Sequence, residues 1–204
     1  LLDDREYGAE AEGRAKNFQA ILESLGRTAR PEGRLLDIGS ANGLFIHLAR
    51  KQGYQAEGIE PSASLVEEAR TRYGIELFPG TLEEYQTEKS FDIVTLLDLI
   101  EHIAEPVRFL NRINRLMNPD GILVIVTPDI DSLAARLLRR RWWHHRIAHM
   151  NFFPLKTLSR LLDQCGFEIE KKRRYSWHFS AFYLVSRLIP TRFLPTGLPK
   201  ILKK

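Results

Sequence analysis

The sequence predicts an α/β fold in which a doubly wound, mostly parallel sheet carries helices on both faces. Three observations predict it. Short apolar segments alternate with helix-spaced apolar patterns through residues 30–130. Several of the short segments, such as Ile122-Leu123-Val124-Ile125-Val126, are apolar without interruption, as strands covered on both sides are. The 204 residues, 44 % hydrophobic and 27 % charged, suffice for one substantial globular domain with its own core.

Each element has its own signal. Phe18, Ile21, Leu22 and Leu25 lie at helical spacing and place a helix over 9–25, ended by Gly26 and the run Arg30-Pro31-Glu32-Gly33. Leu35-Leu36-Asp37-Ile38 is the first strand, followed by a glycine loop and a helix over 43–52. A second strand spans 54–59. A helix spans 61–73, with Ser64 and Glu67 in capping-box spacing and Gly74 as its stop. Strands follow over 75–78 and 91–97. The helix over 106–117 has Pro106 in its first turn. A fifth strand over 122–127 is closed by Pro128. Beyond it, helices are expected over 131–141 and 155–165, with a strand over 167–169. Residues 1–175 are expected to form one domain, with 131–175 added to a core of about 30–130, leaving 176–204 as a basic, aromatic extension.

Composition sets limits on function. The single cysteine, Cys165, excludes a disulfide within the chain and sits where an amphipathic helix ends, so a buried packing role is expected. No secretory signal is read in Leu1-Leu2-Asp3-Asp4-Arg5-Glu6, and a cytoplasmic location is expected. The net charge of +4 hides an asymmetry: residues 1–133 hold 14 basic and 23 acidic side chains, residues 134–204 hold 16 and 3. The basic third suits an anionic partner or a peripheral membrane contact, or is a solvated face. No apolar run in 176–204 is long enough to span a bilayer.

The glycine loop carries the first chemical signal. Strand one ends in Asp37-x-Gly39-x-x-x-Gly43. Glycines allow a tight turn and close approach to a ligand. A dinucleotide loop needs three glycines and helix amides facing two phosphates. Here a carboxylate occupies that ground, which suits a ligand with an ammonium or sulfonium group. Strand two ends in Ile59-Glu60-Pro61, and an acidic residue about 20 positions after such a loop accepts from ribose hydroxyls. The sheet is then Rossmann-like, and its ligand is expected beyond the carboxyl ends of the strands.

Residues 35–43, Gly58-Ile59-Glu60-Pro61-Ser62, Phe91-Asp92-Ile93-Val94, the run from Asp98 to Pro106, and Leu116-Met117-Asn118-Pro119-Asp120-Gly121 together resemble the class I S-adenosylmethionine-dependent methyltransferases. The resemblance implies that Asp37, Gly39, Ser40, Asn42 and Gly43 surround the methionine part of S-adenosyl-L-methionine, with S-adenosyl-L-homocysteine as product. It implies that Glu60 holds the ribose beside Pro61 and Ser62, that Thr81 and Leu82 lie near the adenine, and that Leu97 and Asp98 line the cofactor beside the reacting methyl. Thr81-Leu82 departs from the acidic residue common there, so backbone groups would recognise adenine.

Methyl transfer to a hydroxyl requires alignment and removal of a proton. Asp98, Glu101 and His102, at helical spacing, are expected on one face. The triplet is similar to one that holds a divalent metal in ubiquinone-biosynthesis O-methyltransferases and small-RNA 2′-O-methyltransferases. Glu-His ahead of a proline-started helix also occurs in the wider family without metal, and no metal site is assigned. His149, in His149-Met150-Asn151-Phe152-Phe153-Pro154, resembles a segment of bacterial glycan-pathway methyltransferases, which also carry an upstream Arg-Trp cluster like residues 139–146. His149, Asp98 and His102 are therefore the catalytic candidates, and His149 reads equally as ordering its loop. Trp142 and Trp143 can stack on a sugar or quinone ring, or pack. Nucleic acid is not favoured, because the first two thirds is acidic and no binding module for it is present.

The reading is a methyltransferase acting on oxygen of a small molecule, a glycan or a lipid-linked intermediate. The rivals are an NAD-type oxidoreductase, which the Asp37-x-Gly39 loop opposes, and a non-catalytic S-adenosylmethionine-binding module.

Overall fold

The computed structural model describes residues 11–27, 32–139, 142 and 149–173. Residues 176–204 and most of the Arg-Trp cluster, Trp143 included, lie outside the described residues. The elements are α1 (Ala11–Leu25), β1 (Arg34–Ile38), α2 (Leu44–Lys51), β2 (Gln55–Glu60), α3 (Ala63–Tyr73), β3 (Phe78–Pro79), β4 (Phe91–Leu97), a 3₁₀ turn (Ile100–His102), α4 (Pro106–Leu116), β5 (Met117–Val126), α5 (Leu133–Leu138) and α6 (Leu155–Gln164). The five strands form one sheet in the order β3-β2-β1-β4-β5, and every pairing is parallel. This is the doubly wound architecture expected from the alternation of elements.

Strand alternation splits the core in two. Leu35 and Ile93 point to one face, where they pack with Phe18, Leu22, Phe45 and Ala49 of α1 and α2. Leu36, Ile38, Val94 and Leu96 point to the other, against Phe109, Leu110 and Ile113 of α4 and Leu162 of α6. Consecutive side chains on a strand face opposite ways, so a sheet with apolar residues at every position must be covered twice.

Several expectations change. β5 is only partly buried along its apolar run, because among the described residues it pairs with β4 alone and forms an edge. β3 contracts to two residues, and 167–169 is not a strand. α3 starts at Ala63, with Ser62 as its N-cap. The capping box does not form: Glu67 holds Arg70 instead, in an exposed pair at 2.7 Å. α5 is shorter than 131–141, and its N-cap Ser132 accepts from the Ala135 amide at 3.2 Å. Cys165 is buried, its thiol 3.8 Å from the Val107 carbonyl, and burial pushes its pKa up, in keeping with a packing role.

Candidate active site

The site lies where the carboxyl ends of β1, β2 and β4 meet. β1 runs into a loop that reverses twice. Gly39 and Gly43 have φ of 77° and 75°, and Ala41 between them has φ 47°. The Gly39 and Ser40 amides both donate to the Ile59 carbonyl, at 2.9 and 3.0 Å, which ties the loop to the end of β2.

Three polar residues fix this loop, and each does more than the sequence shows. Ser40 donates its hydroxyl to the Asp37 carbonyl at 2.7 Å. Asn42 donates its amide to Glu68 of α3 at 2.9 Å, which places its NH₂ against the helix rather than the ligand space. Glu60 accepts from the Ala41 amide through one oxygen and from the Ser62 amide through the other, both at 2.9 Å. Each carboxylate oxygen has two lone pairs, so Glu60 keeps acceptor capacity on each beyond these two amides. Burial pushes its pKa up, and the two amides pull it back.

Asp37 is 2 % exposed and accepts the Thr95 hydroxyl at 2.6 Å. Burial raises its pKa to about 7, against the hydrogen bonds from Thr95 and Ser40, with the nearby Glu60 charge adding to the rise. A buried carboxylate in this condition gains from a cationic ligand. Thr95 was not singled out in the sequence, since a threonine inside an apolar strand reads as an ordinary β-former.

Gly58 was also missed as a functional position. A Cβ there would overlap the Ser40 hydroxyl and the Ile46 side chain. Thr81 closes a turn by donating its amide and hydroxyl to Glu84, at 2.8 and 3.0 Å. Leu82 is buried in the core, and Arg112 of α4 holds the turn through the Leu82 and Tyr85 carbonyls at 2.8 and 2.9 Å. Pro61 is exposed and Ser62 half-buried at the mouth of the loop, and Leu97 is half-buried at the end of β4.

The acceptor side begins at Asp98. Its amide donates to the Val126 carbonyl at 2.9 Å, and its φ is 54°, a left-handed value few non-glycine residues adopt. Asp98, Glu101 and His102 do not share a helical face, because the chain passes from that reversal into a single 3₁₀ turn. The residues that converge are Glu101, His102 and His149, whose ligand atoms lie within 4.8 Å of one another. The His102 and His149 rings stand 4.7 Å apart and perpendicular.

Asn151, absent from the candidates, brings His149 there. Its amide donates to the Glu101 carbonyl at 3.0 Å, and its side chain donates to the Ile103 carbonyl at 2.6 Å. Glu101 is 1 % exposed; one oxygen accepts from Thr127 at 2.9 Å and the other, Oε1, has no hydrogen-bond partner. Burial pushes the Glu101 pKa up, opposed by Thr127 and by the His102 charge. Two imidazoles and a carboxylate oxygen in need of a partner fit a divalent ion. Trp142 is buried and tilted against Phe152, so it packs.

Comparison with known proteins identifies the family of this chain. The family model described as a methyltransferase domain matches residues 10–172. A ubiquinone biosynthesis O-methyltransferase from Rhodopseudomonas palustris (strain HaA2) is 36 % identical over 99 residues, 46 % of this chain and 39 % of that protein. Its counterpart from Azorhizobium caulinodans is 28 % identical over 153 residues, 68 % of this chain and 60 % of that one. The chain thus spans between about two fifths and three fifths of these curated relatives. A crystal structure of an S-adenosylmethionine-dependent methyltransferase from Thermotoga maritima shares the fold, with a TM-score of 0.62 and 24 % identity over 78 % of this chain and 73 % of that one. The matched residues include the glycine loop, Glu60, Glu101, His102 and His149, and the chain belongs to the class I S-adenosylmethionine-dependent methyltransferases.

Proposed function

We propose that this chain transfers a methyl group from S-adenosylmethionine to an oxygen of a small-molecule, glycan or lipid-linked acceptor. One observation carries the reading: residues 98–102 touch both halves of the site. Leu99 atoms lie 3.1–3.5 Å from where a Cβ on Gly39 would stand, so this segment packs on the cofactor loop. Three residues on, His102 meets His149. Cofactor loop and acid–base cluster are therefore adjoining parts of one cleft. The relatives named for O-methylation support oxygen as the acceptor atom.

When bound, the cofactor supplies a methyl group on a sulfonium. Asp37 balances its positive charge, Glu60 holds the ribose, and Leu97 and Leu99 exclude water beside the methyl. An acceptor oxygen held in line would take that methyl group, leaving the sulfonium as a neutral thioether. The hydroxyl proton passes to the His149 imidazole. The Glu101 carboxylate, one oxygen of which lies within 4.8 Å of an imidazole nitrogen of His149, stabilises the imidazolium.

A second reading is favoured by the unpartnered Glu101 Oε1. Glu101, His102 and His149 would hold a divalent ion, which would supply a Lewis acid for the acceptor hydroxyl.

The experiment uses labelled S-adenosylmethionine to find acceptors among phenols, glycans and lipid extracts. On an acceptor that takes label, His149→Gln should lower turnover at least about 100-fold while S-adenosylhomocysteine binding is unchanged. Turnover that is lost on chelation and restored by zinc or magnesium assigns the ion reading. Unchanged turnover in His149→Gln would sink both.

A further inference from the structure

Five large apolar side chains are exposed among the described residues: Val107, Leu133, Leu137, Met150 and Leu155. Four of them fall between residues 133 and 155, the stretch that frames the acceptor side. Leu133 is 69 % exposed and Leu137 is 72 % exposed. They lie one turn apart on α5 and so share a face. Ala135, on the opposite side of the helix, is 6 % exposed. α5 thus packs by Ala135 and the half-buried Leu138 and turns Leu133 and Leu137 outward, whereas an ordinary surface helix turns polar residues outward. Met150 directly follows His149, and Leu155 opens α6.

The same stretch is basic without exception. Between Asp131 and Asp163 no acidic residue occurs, while Arg136, Arg139, Arg140, Arg141, Arg146, Lys156 and Arg160 do. Arg136, Arg139, Lys156 and Arg160 are exposed beside the apolar residues. Exposed leucines interspersed along the chain with exposed arginine and lysine suit one chemistry, an apolar layer beneath anionic head groups. A second copy of this chain fits poorly, since a two-fold interface would set arginines against arginines. A nucleic acid would satisfy the cations but leave the leucines in water.

We propose that α5 and the 149–156 segment dock this protein on an anionic lipid bilayer. The leucines enter the head-group boundary and the basic side chains lie on phosphates. Docking here sets the mouth of the site, His149 included, against the membrane, and selects an acceptor with a lipid tail. That consequence for substrate rests on the proposed function; the docking does not.

The test is co-sedimentation of the whole chain with vesicles of phosphatidylcholine alone and of phosphatidylcholine with phosphatidylglycerol. The protein should bind the anionic vesicles and not the neutral ones. Leu133→Asp with Leu137→Asp should weaken that binding by about tenfold or more, with S-adenosylhomocysteine affinity unchanged. Arg136→Glu with Arg139→Glu should abolish the preference for phosphatidylglycerol, and decides the matter if the leucine variant fails to fold. The proposal is overturned if the parent protein ignores anionic vesicles. It is equally overturned if both variants fold and bind them as the parent does, or if the leucine pair instead holds a dimer in the ultracentrifuge. Vesicle binding by a protein that transfers no methyl group would fail the functional reading and leave docking intact.

Discussion

Asp37 is ionised at a cost, and that cost has a pH dependence. Burial holds its pKa at about 7, against 3.8 for the free side chain. Between these values the folded state holds a proton that the unfolded state has released. The stability this group contributes is therefore complete below the unfolded value and is lost as pH rises through about 7. A cationic ligand needs the ionised form, so binding runs the other way. Affinity for S-adenosylmethionine should be flat above about pH 7 and fall about tenfold per unit below it. Asp37→Asn should bind more weakly and without that slope, as calorimetry between about pH 5 and 8 will show. A parent affinity that is level across the range would refute the role. The sequence made Asp37 and Glu60 legible because each ends an apolar strand at a fixed distance from a glycine loop. It could not show Thr95 under Asp37 or Thr127 under Glu101, since Thr95 lies on β4 and Thr127 just past the end of β5, both remote in sequence from their partners.

At the scale of elements, strands β1, β2 and β4 stand close to where apolar runs and glycine punctuation place them. The misreadings occur where tertiary contacts outvote local pattern. Glu67 had the right spacing for a capping box, but Arg70 one turn on is a stronger partner. Asp98, Glu101 and His102 had helical spacing, but the left-handed Asp98 and the 3₁₀ turn break the face, and His149 takes the vacant place from 47 residues away. Gly58 shows the same limit in reverse. It reads as one more glycine in a strand, yet β2 and the cofactor loop approach so closely there that Ser40 and Ile46 fill the space of a side chain. Gly58→Ala should cost about 2–4 kcal/mol by forcing these groups apart. Because Ser40 anchors the loop, the variant should also lose S-adenosylhomocysteine affinity. Gly74→Ala is the control, since nothing lies within 4 Å of a Cβ there. It should cost only the strain of its φ of 64°, about 1 kcal/mol, with affinity unchanged. Chemical denaturation read beside calorimetry separates the two; equal losses of affinity would show that loop contact at Gly58 is not what matters.

For the whole molecule, the decisive question is which ligand the folded state prefers, because the rival readings share the sheet and differ in the cleft. The cleft is acidic: Asp37 and Glu60 are buried in it, 2 % and 7 % exposed. Two buried carboxylates repel a pyrophosphate and attract a sulfonium or ammonium group. The described helices that start beside them, α2 and α3, carry no lysine or arginine in their first turns to reverse that sign, and burial pushes the pKa of His47 in α2 down, toward the neutral form. A ligand that binds only the native state at about 100 times its dissociation constant stabilises it by about 2.7 kcal/mol. For a domain of this size that raises the melting temperature by about 5–10 °C. S-adenosylmethionine and S-adenosylhomocysteine should each produce such a shift, and NAD at the same concentration should produce none. Asp37→Asn should shrink the shift, and Glu60→Ala should shrink it further, because truncation also strips the Ala41 and Ser62 amides of their acceptor. Stabilisation by NAD with no response to S-adenosylhomocysteine would return the cleft to the dinucleotide reading, and with it the assignment of every residue around the loop.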